Sequence, residues 1–301
     1  MKLLVFGSLN IDNTYDVDHT VKQGETISSL ALNTYCGGKG RNQAIAVSKA
    51  GADTYHAGCI GTDGNDLVQI LKDSGVHTEL IKVDPSVRSG HTIIQRDKDG
   101  DNCIILYGGA NQAITKDYVD KVLTHFEAGD FLILQNEINE LAYIVEKAAE
   151  RGLQVVLNPS PMNEIITGLD LSKVSYLILN EIEASQILDV AEDTDPDQLL
   201  DGLMEKFPSM KIVLTLGKKG SVYCDQTKRL AQSSFSVPVV DTTGAGDTFL
   251  GYFIASITSG MEVASALERA SKAAAIAVGS AGAAQAIPTA DAVEQIGRAH
   301  V

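Results

Sequence analysis

Tryptophan is absent from the 301 residues, and other aromatics are few, nine Tyr and seven Phe. The core is therefore aliphatic, which suits parallel strands buried between layers of helices. Basic residues are scarce too: 24 Lys and Arg stand against 39 Asp and Glu, a formal net charge of −15. Such a chain is repelled at long range by nucleic acid and by anionic membrane, and neither is expected as a partner. A phosphate can still be held locally by backbone N–H groups, which need no basic patch. No apolar run approaches the roughly 18 residues of a membrane span. The opening MKLLVFGSLNID is too short in its apolar stretch for a signal peptide and reads as a first strand, so the expected location is cytoplasmic. The four cysteines, Cys36, Cys59, Cys103 and Cys224, show no C-x-x-C spacing and no zinc-like His neighbour. They read as reduced thiols. The six histidines form neither HxH nor HExxH, so a zinc site is not expected. There is no GxxxxGKS or GxxxxGKT phosphate loop, and no GxGxxG follows the first strand, which argues against a dinucleotide oxidoreductase.

What is present is an alternation. Apolar runs at Leu3–Phe6, Thr54–Ile60, Phe131–Leu134, Val155–Leu157, Tyr176–Leu179 and Ile212–Leu216 read as strands. Helical patterns at Asn42–Ala50, Asn65–Ser74, Leu141–Arg151, Glu181–Leu188 and Pro196–Lys206 separate them. This order predicts an α/β fold, a mostly parallel central sheet with helices on both faces. Two regions break the rhythm. Thr14–Thr34 has no helix signal, and Gly90–Tyr107 reads as a hairpin turned at Asp97-Lys98-Asp99-Gly100. Strands without an intervening helix cannot join a parallel sheet by right-handed crossovers, so they should form a small second sheet, a lid beside the core. The expected division is a core of 1–12, 36–89 and 108–301 and a lid of 13–35 and 90–107. Gly297–Val301 reads as a frayed end.

The sharpest chemical signal is VVDTTGAGDTFLG at Val239–Gly251. Leu250, Phe253, Ile254 and Ile257 follow at helical spacing, so a helix should start near Ala245. With Gly244 and Gly246 lacking side chains, the N–H groups of Ala245, Gly246 and Asp247 can converge on an anion at the helix N-terminus. A carboxylate at that spot makes sense if Asp247 takes a proton from a hydroxyl attacking a bound phosphate; the bland reading is a first-turn acid on a capped helix. Asn10 and Asp12, two apart and placed at the carboxyl end of the first strand, can point the same way, and a carboxylate can accept from two adjacent hydroxyls; the alternative is a turn and helix cap. Gly37-Gly38 would let a ligand approach the backbone, and Asn42 offers both donor and acceptor.

Taken together these segments resemble the ribokinase-like carbohydrate kinases. Asp241-Thr242-Thr243-Gly244-Ala245-Gly246-Asp247-Thr248-Phe249 is similar to that family's C-terminal signature. Gly37-Gly38-Lys39-Gly40-Arg41-Asn42-Gln43-Ala44 is similar to the N-terminal one, in the form ribokinases carry. Gly7–Asp12, Asn180–Glu183 and Thr215–Gly217 match further family positions in the same order. The resemblance implies ATP-dependent phosphorylation of the primary hydroxyl of a furanose, with Asp247 as general base and ribose as the leading substrate. Deoxyribose, a nucleoside or another sugar is the alternative, and a non-catalytic sugar- or nucleotide-binding sensor is a rival of another class. It further implies that Asn10, Asp12, Gly38, Lys39, Asn42 and Glu137 hold the sugar. Asn180, Thr215, Gly217, Gly220, Gly246 and Ser271 would line the nucleotide, with Glu183 organising Mg²⁺ through water. Lys218 and Lys219 receive no role.

Family members are often activated by a monovalent cation. The matching positions are Asp241, Thr243, Ala277, Ser280 and Gly282, with potassium as the candidate ion. Two departures weaken that match, Ala286 in place of a side-chain oxygen and Ser280 in place of Arg. Arg41 stands where ribokinases commonly have Ala. It reads as facing solvent, with an effect on sugar choice as the other possibility. A homodimer through the lid is also expected, because exposed flap strands leave unpaired edges.

Overall fold

The structure, a computed structural model, describes residues 1–99, 101–280 and 282–296. Gly100 of the expected turn and the expected frayed end at 297–301 lie outside them. The strands are β1 (Leu3–Phe6), β2 (Asn10–Asp16), β3 (Ala31–Gly37), β4 (Thr54–Ile60), β5 (Ile81–Val83), β6 (Gly90–Arg96), β7 (Asn102–Tyr107), β8 (Phe131–Gln135), β9 (Gln154–Asn158), β10 (Tyr176–Asn180), β11 (Lys211–Thr215), β12 (Ser221–Cys224) and β13 (Arg229–Gln232). The helices are α1 (Lys39–Lys49), α2 (Asn65–Asp73), α3 (Lys116–Leu123), α4 (Leu141–Glu150), α5 (Glu164–Thr167), α6 (Glu181–Leu188), α7 (Pro196–Lys206), α8 (Ala245–Thr258), α9 (Val263–Val278) and α10 (Ala290–Ile296).

Nine strands form one sheet in the order β13-β12-β11-β10-β9-β8-β1-β4-β5. From β5 to β11 every pairing is parallel. The expected parallel core is therefore present, with two short antiparallel strands, β12 and β13, closing one edge. Central strands are buried on both sides, as LLVF and FLILQ show along their whole length. Their side chains divide between two aliphatic clusters. One holds Leu4, Phe6, Leu132 and Leu134 with α3, α4, α6 and α7; the other holds Leu3, Val5, Phe131 and Ile133 with α1, α8 and α9.

The second sheet has four strands in the order β3-β2-β6-β7. The expected hairpin is β6 and β7. Strands β2 and β6 lie parallel, Asn10 opposite Gly90 through Asp16 opposite Arg96, because the intervening chain passes through the core before returning. One expectation fails here. Asn10 and Asp12 are not at the end of the first strand: β1 stops at Phe6, and both residues begin β2 of the small sheet.

Candidate active site

Two helices packed side by side bring their first turns together where the site forms. Helix α1 begins after Gly38, whose φ of 97° suits glycine and where a Cβ would lie 2.9 Å from the Ser8 carbonyl. Helix α8 begins after Gly244, with φ of 76°. Its first turn carries Asp247, which is 7% exposed. Gly246 sits in that turn with open space where a side chain would be. The N–H of Ala245 donates to the Thr242 carbonyl at 3.3 Å. The anion site expected across three N–H groups therefore falls to Gly246 and Asp247, the two that helix geometry leaves without intrahelical partners.

Asp247 is tied to α1 through both oxygens. Asn42 Nδ2 donates to Oδ2 at 3.2 Å, and Gln43 Nε2 donates to Oδ1 at 2.9 Å. Glu137, half-buried beyond β8, accepts from the Lys39 N–H at 3.0 Å and from the Ser8 hydroxyl. Burial pushes its carboxyl above the ordinary glutamate range, against the pull of those two donors. Asp12 accepts from the Thr92 hydroxyl at 2.7 Å and rests over Gly37, where a Cβ would lie 1.8 Å from its Oδ2. Burial raises its carboxyl as well, opposed by the Thr92 hydrogen bond and the Arg41 charge. Asn10 is buried, and its Oδ1 accepts from Asn111 Nδ2 at 2.7 Å.

Arg41 corrects its reading. It does not face solvent but is 2% exposed, with Nη1 donating to the Cys36 carbonyl at 2.6 Å and to Asn42 Oδ1 at 3.3 Å. The cause is the burial of the start of α1, where Gly40 through Val47 are all covered. Burial depresses its pKa, and the neighbouring Cys36 and Asp12 resist that shift.

Two adjoining cavities open beside Asp247. The smaller, about 220 Å³, is lined by Lys39, Asn158, Ser160, Asn180, Glu183, Thr215, Gly244, Gly246 and Asp247 among others. The larger, about 670 Å³, shares Asn180, Thr215, Thr242 and Gly246 and continues past Gly217, Gly220 and Ser271 to an apolar end at Val237, Val239, Phe249, Ala274, Ala275 and Val278. All six expected nucleotide residues thus border one cleft. Asn10, Asp12, Gly38, Asn42 and Glu137 do not line it; Asn42 and Glu137 join it through their hydrogen bonds to Asp247 and Lys39. Lys218, given no role, borders the larger cavity, whereas Lys219 lies 3.9 Å from Glu181.

Glu183 forms a reciprocal cap with Asn180: Asn180 N–H donates to Glu183 Oε2 at 3.0 Å and Glu183 N–H to Asn180 Oδ1 at 2.8 Å. Among the described residues no group of three His, Cys, Asp or Glu could hold a metal. Of the described residues, only Glu183 and Asp247 bring carboxylates to the smaller cavity, and so sparse a set suits an ion that keeps most of its waters and arrives on phosphates, as Mg²⁺ does. Asp241 accepts from Thr243 N–H at 2.9 Å and Gly282 N–H at 3.1 Å, tying two loops together. Partial burial opposes its ionisation, but these hydrogen bonds hold its carboxyl below the ordinary range. Ala277 and Ser280 are joined by a turn at the end of α9, where Ser280 N–H donates to the Ala277 carbonyl at 3.2 Å. Sequence reasoning missed Ser8, Thr92, Asn111, Gln135 and Asn158 as site supports. The usable signal was position at strand ends: Gln135 and Asn158 close β8 and β9.

The profile of the pfkB family carbohydrate kinases matches residues 1–290. The chain belongs to that family. It is an ATP-dependent sugar kinase. It is 32% identical over 278 residues to the ribokinase of Bacillus subtilis, covering 90% of this chain and 91% of that one. It is 28% identical over 279 residues to the deoxyribokinase of Salmonella typhi, with 90% of each covered. The structure of Arabidopsis thaliana ribokinase complexed with ribose and ATP superposes with a TM-score of 0.88 at 31% identity, covering 98% of this kinase and 97% of that chain. The four cysteines of the kinase are free, and no helix among its described residues is long and apolar enough to cross a membrane.

Proposed function

We propose that this kinase transfers the γ-phosphoryl group of ATP to the primary hydroxyl of a furanose, with ribose giving ribose 5-phosphate. The observation that carries the reading is the position of Asp247, in the open first turn of α8 and hydrogen-bonded to Asn42 of the sugar segment. A sugar hydroxyl delivered by Asn42 would meet a carboxylate able to take its proton. The transferring phosphoryl would lie against the N–H groups of Gly246 and Asp247, at the positive end of α8, with Lys39 bordering the same cavity. Asp12, Asn10 and Glu137 would hold the remaining hydroxyls. The apolar end of the larger cavity would take the adenine. Glu183 would hold Mg²⁺ through water, and that ion would offset charge on the phosphates. Asp241 would order the loop bearing Gly244, and a bound potassium ion would reinforce it.

The deoxyribokinase relative favours deoxyribose as the second reading. The two differ by one hydroxyl, and the carboxylate of Asp12 can accept from a vicinal diol. ADP release measured across ribose, deoxyribose, other furanoses and nucleosides decides the matter. Highest kcat/KM on ribose supports the proposal; preference for deoxyribose or a nucleoside replaces it. ADP release that needs no sugar would point to an ATPase, and no ADP release with any sugar would favour the sensor.

A further inference from the structure

We infer that Gln43 is a positioning residue for Asp247, locked in one amide orientation by Gln135 and Asn158; this rests on Asp247 being the base. Gln43 and Gln135 are both fully buried. Gln43 Nε2 donates to Asp247 Oδ1 at 2.9 Å and to Asn158 Oδ1 at 3.3 Å. Its Oε1 accepts from Gln135 Nε2 at 2.6 Å. Asn158 is itself fixed, because its Nδ2 donates to the Ile178 carbonyl at 3.0 Å, leaving only its oxygen toward Gln43. A flipped Gln43 amide would set its carbonyl against the Asp247 carboxylate and the Asn158 oxygen. It would also set its NH₂ against the NH₂ of Gln135. All three hydrogen bonds would be lost at once, and buried polar groups left unpaired are costly.

The result is a clamp. Two consecutive residues of α1 pin the two oxygens of Asp247, Asn42 on Oδ2 and Gln43 on Oδ1. Rotation of the carboxylate about its Cβ–Cγ bond is then stopped from both sides. Positioning within a fraction of an ångström is worth large factors in rate, because the reacting oxygen must meet the hydroxyl proton in line. Gln43 touches neither cavity, so its contribution should appear in the chemical step and not in sugar binding.

The test uses the full chain with saturating ATP. Gln43→Met should lower kcat by about tenfold or more and leave the sugar KM within about threefold. Gln43→Glu sets a second carboxylate against Asp247, and the pair must share a proton, so the acidic limb of the pH–kcat profile should move up by about one unit or more. Should either variant fail to fold, Gln135→Met offers a different handle. It removes the N–H that holds the Gln43 carbonyl, frees the Gln43 amide to turn, and should lower kcat without touching the base. In the Gln43→Met background, Gln135→Met should add no further loss, whereas independent structural damage would add. A folded Gln43→Met enzyme within twofold of wild-type kcat, an unmoved acidic limb in Gln43→Glu, or wild-type kcat in Gln135→Met overturns the inference. Asp247→Asn separates this from failure of the base reading: if it is inactive while the Gln43 and Gln135 variants behave as wild type, the base stands and the clamp falls.

Discussion

Asn42 Nδ2 lies 3.2 Å from Asp247 Oδ2, joining residues 205 positions apart. The contact couples the start of α1, the proposed sugar segment, to the start of α8, which borders the two cavities proposed for the nucleotide. In the proposed mechanism, substrate recognition and proton removal are therefore one hydrogen bond apart.

Asp247→Asn should remove most turnover while leaving binding intact. Asn keeps the size but cannot take a proton, and general-base catalysis is typically worth about 10²–10⁴-fold. The loss belongs in kcat, with both KM values close to wild type. Steady-state kinetics on protein with a wild-type melting curve checks this, and wild-type kcat would refute the mechanism.

Asp12→Ala should damage sugar binding far more than nucleotide binding. Each hydroxyl left unpaired in a closed site costs roughly 1–3 kcal/mol, or about five- to 150-fold in KM. The Thr92 hydroxyl loses its acceptor too. Isothermal titration with sugar and separately with ATP distinguishes the two; unchanged sugar affinity would show the contact to be misassigned.

Glu137→Gln should trade binding for stability. Burial raises the Glu137 carboxyl, so the folded chain holds that proton more tightly than the unfolded one. Stability from this group then falls as pH rises from the ordinary glutamate value through the raised one, and the penalty persists above it. Gln carries no such penalty and keeps an oxygen for the Lys39 N–H and the Ser8 hydroxyl. Melting temperature near neutral pH should equal or exceed wild type, while sugar KM rises roughly tenfold. A clear drop in melting temperature would contradict the sign argued here.

The small sheet should mediate a dimer. Its order leaves the outer edges of β3 and β7 unpaired, and β7 is exposed along its whole length. Ile104, Ile105 and Leu106 are 58%, 62% and 51% exposed, too much apolar surface in one strand for a lone protein. Ile104→Lys with Leu106→Lys, on one face of the strand, should yield a particle near the 32.0 kDa chain mass by light scattering, against twice that for wild type. A monomeric wild type would end the idea.

Potassium should raise kcat only modestly over sodium. Asp241 already orders its two loops through Thr243 and Gly282, and Ala286 has no side-chain oxygen for an ion. Equal rates in the two salts would count against a selective site.

Much of this architecture was legible because periodicity reports burial. Leu250, Phe253, Ile254 and Ile257 place the start of α8 at Ala245, and the structure puts it there. Strands β12 and β13 were not legible: each has four residues, and RLAQ carries charge on an exposed edge. Arg41 was misread because charge suggests solvent, and only the assembled fold reveals what covers the start of α1. Gln43 stood in plain view within a recognised segment, yet its meaning depends on Asp247, 204 positions away, and on Gln135 and Asn158 at two strand ends.

The small sheet meets the core along one row. Asn10 lies opposite Gly37 on one side and Gly90 on the other, and Tyr107 leaves the sheet opposite His91. All four passages of the chain between core and sheet cross there, so any swing of the small sheet would pivot about that row. At about 3.3 Å per residue, Asp12 lies roughly 7 Å from it and Asp16 roughly 20 Å. A swing of about 10° would then carry the far end of the sheet some 3.5 Å while shifting Asp12 by only about 1 Å. In the proposed mechanism, leverage of this kind would let the far edge of the small sheet swing open for a passing sugar while Asp12 near its base barely moves.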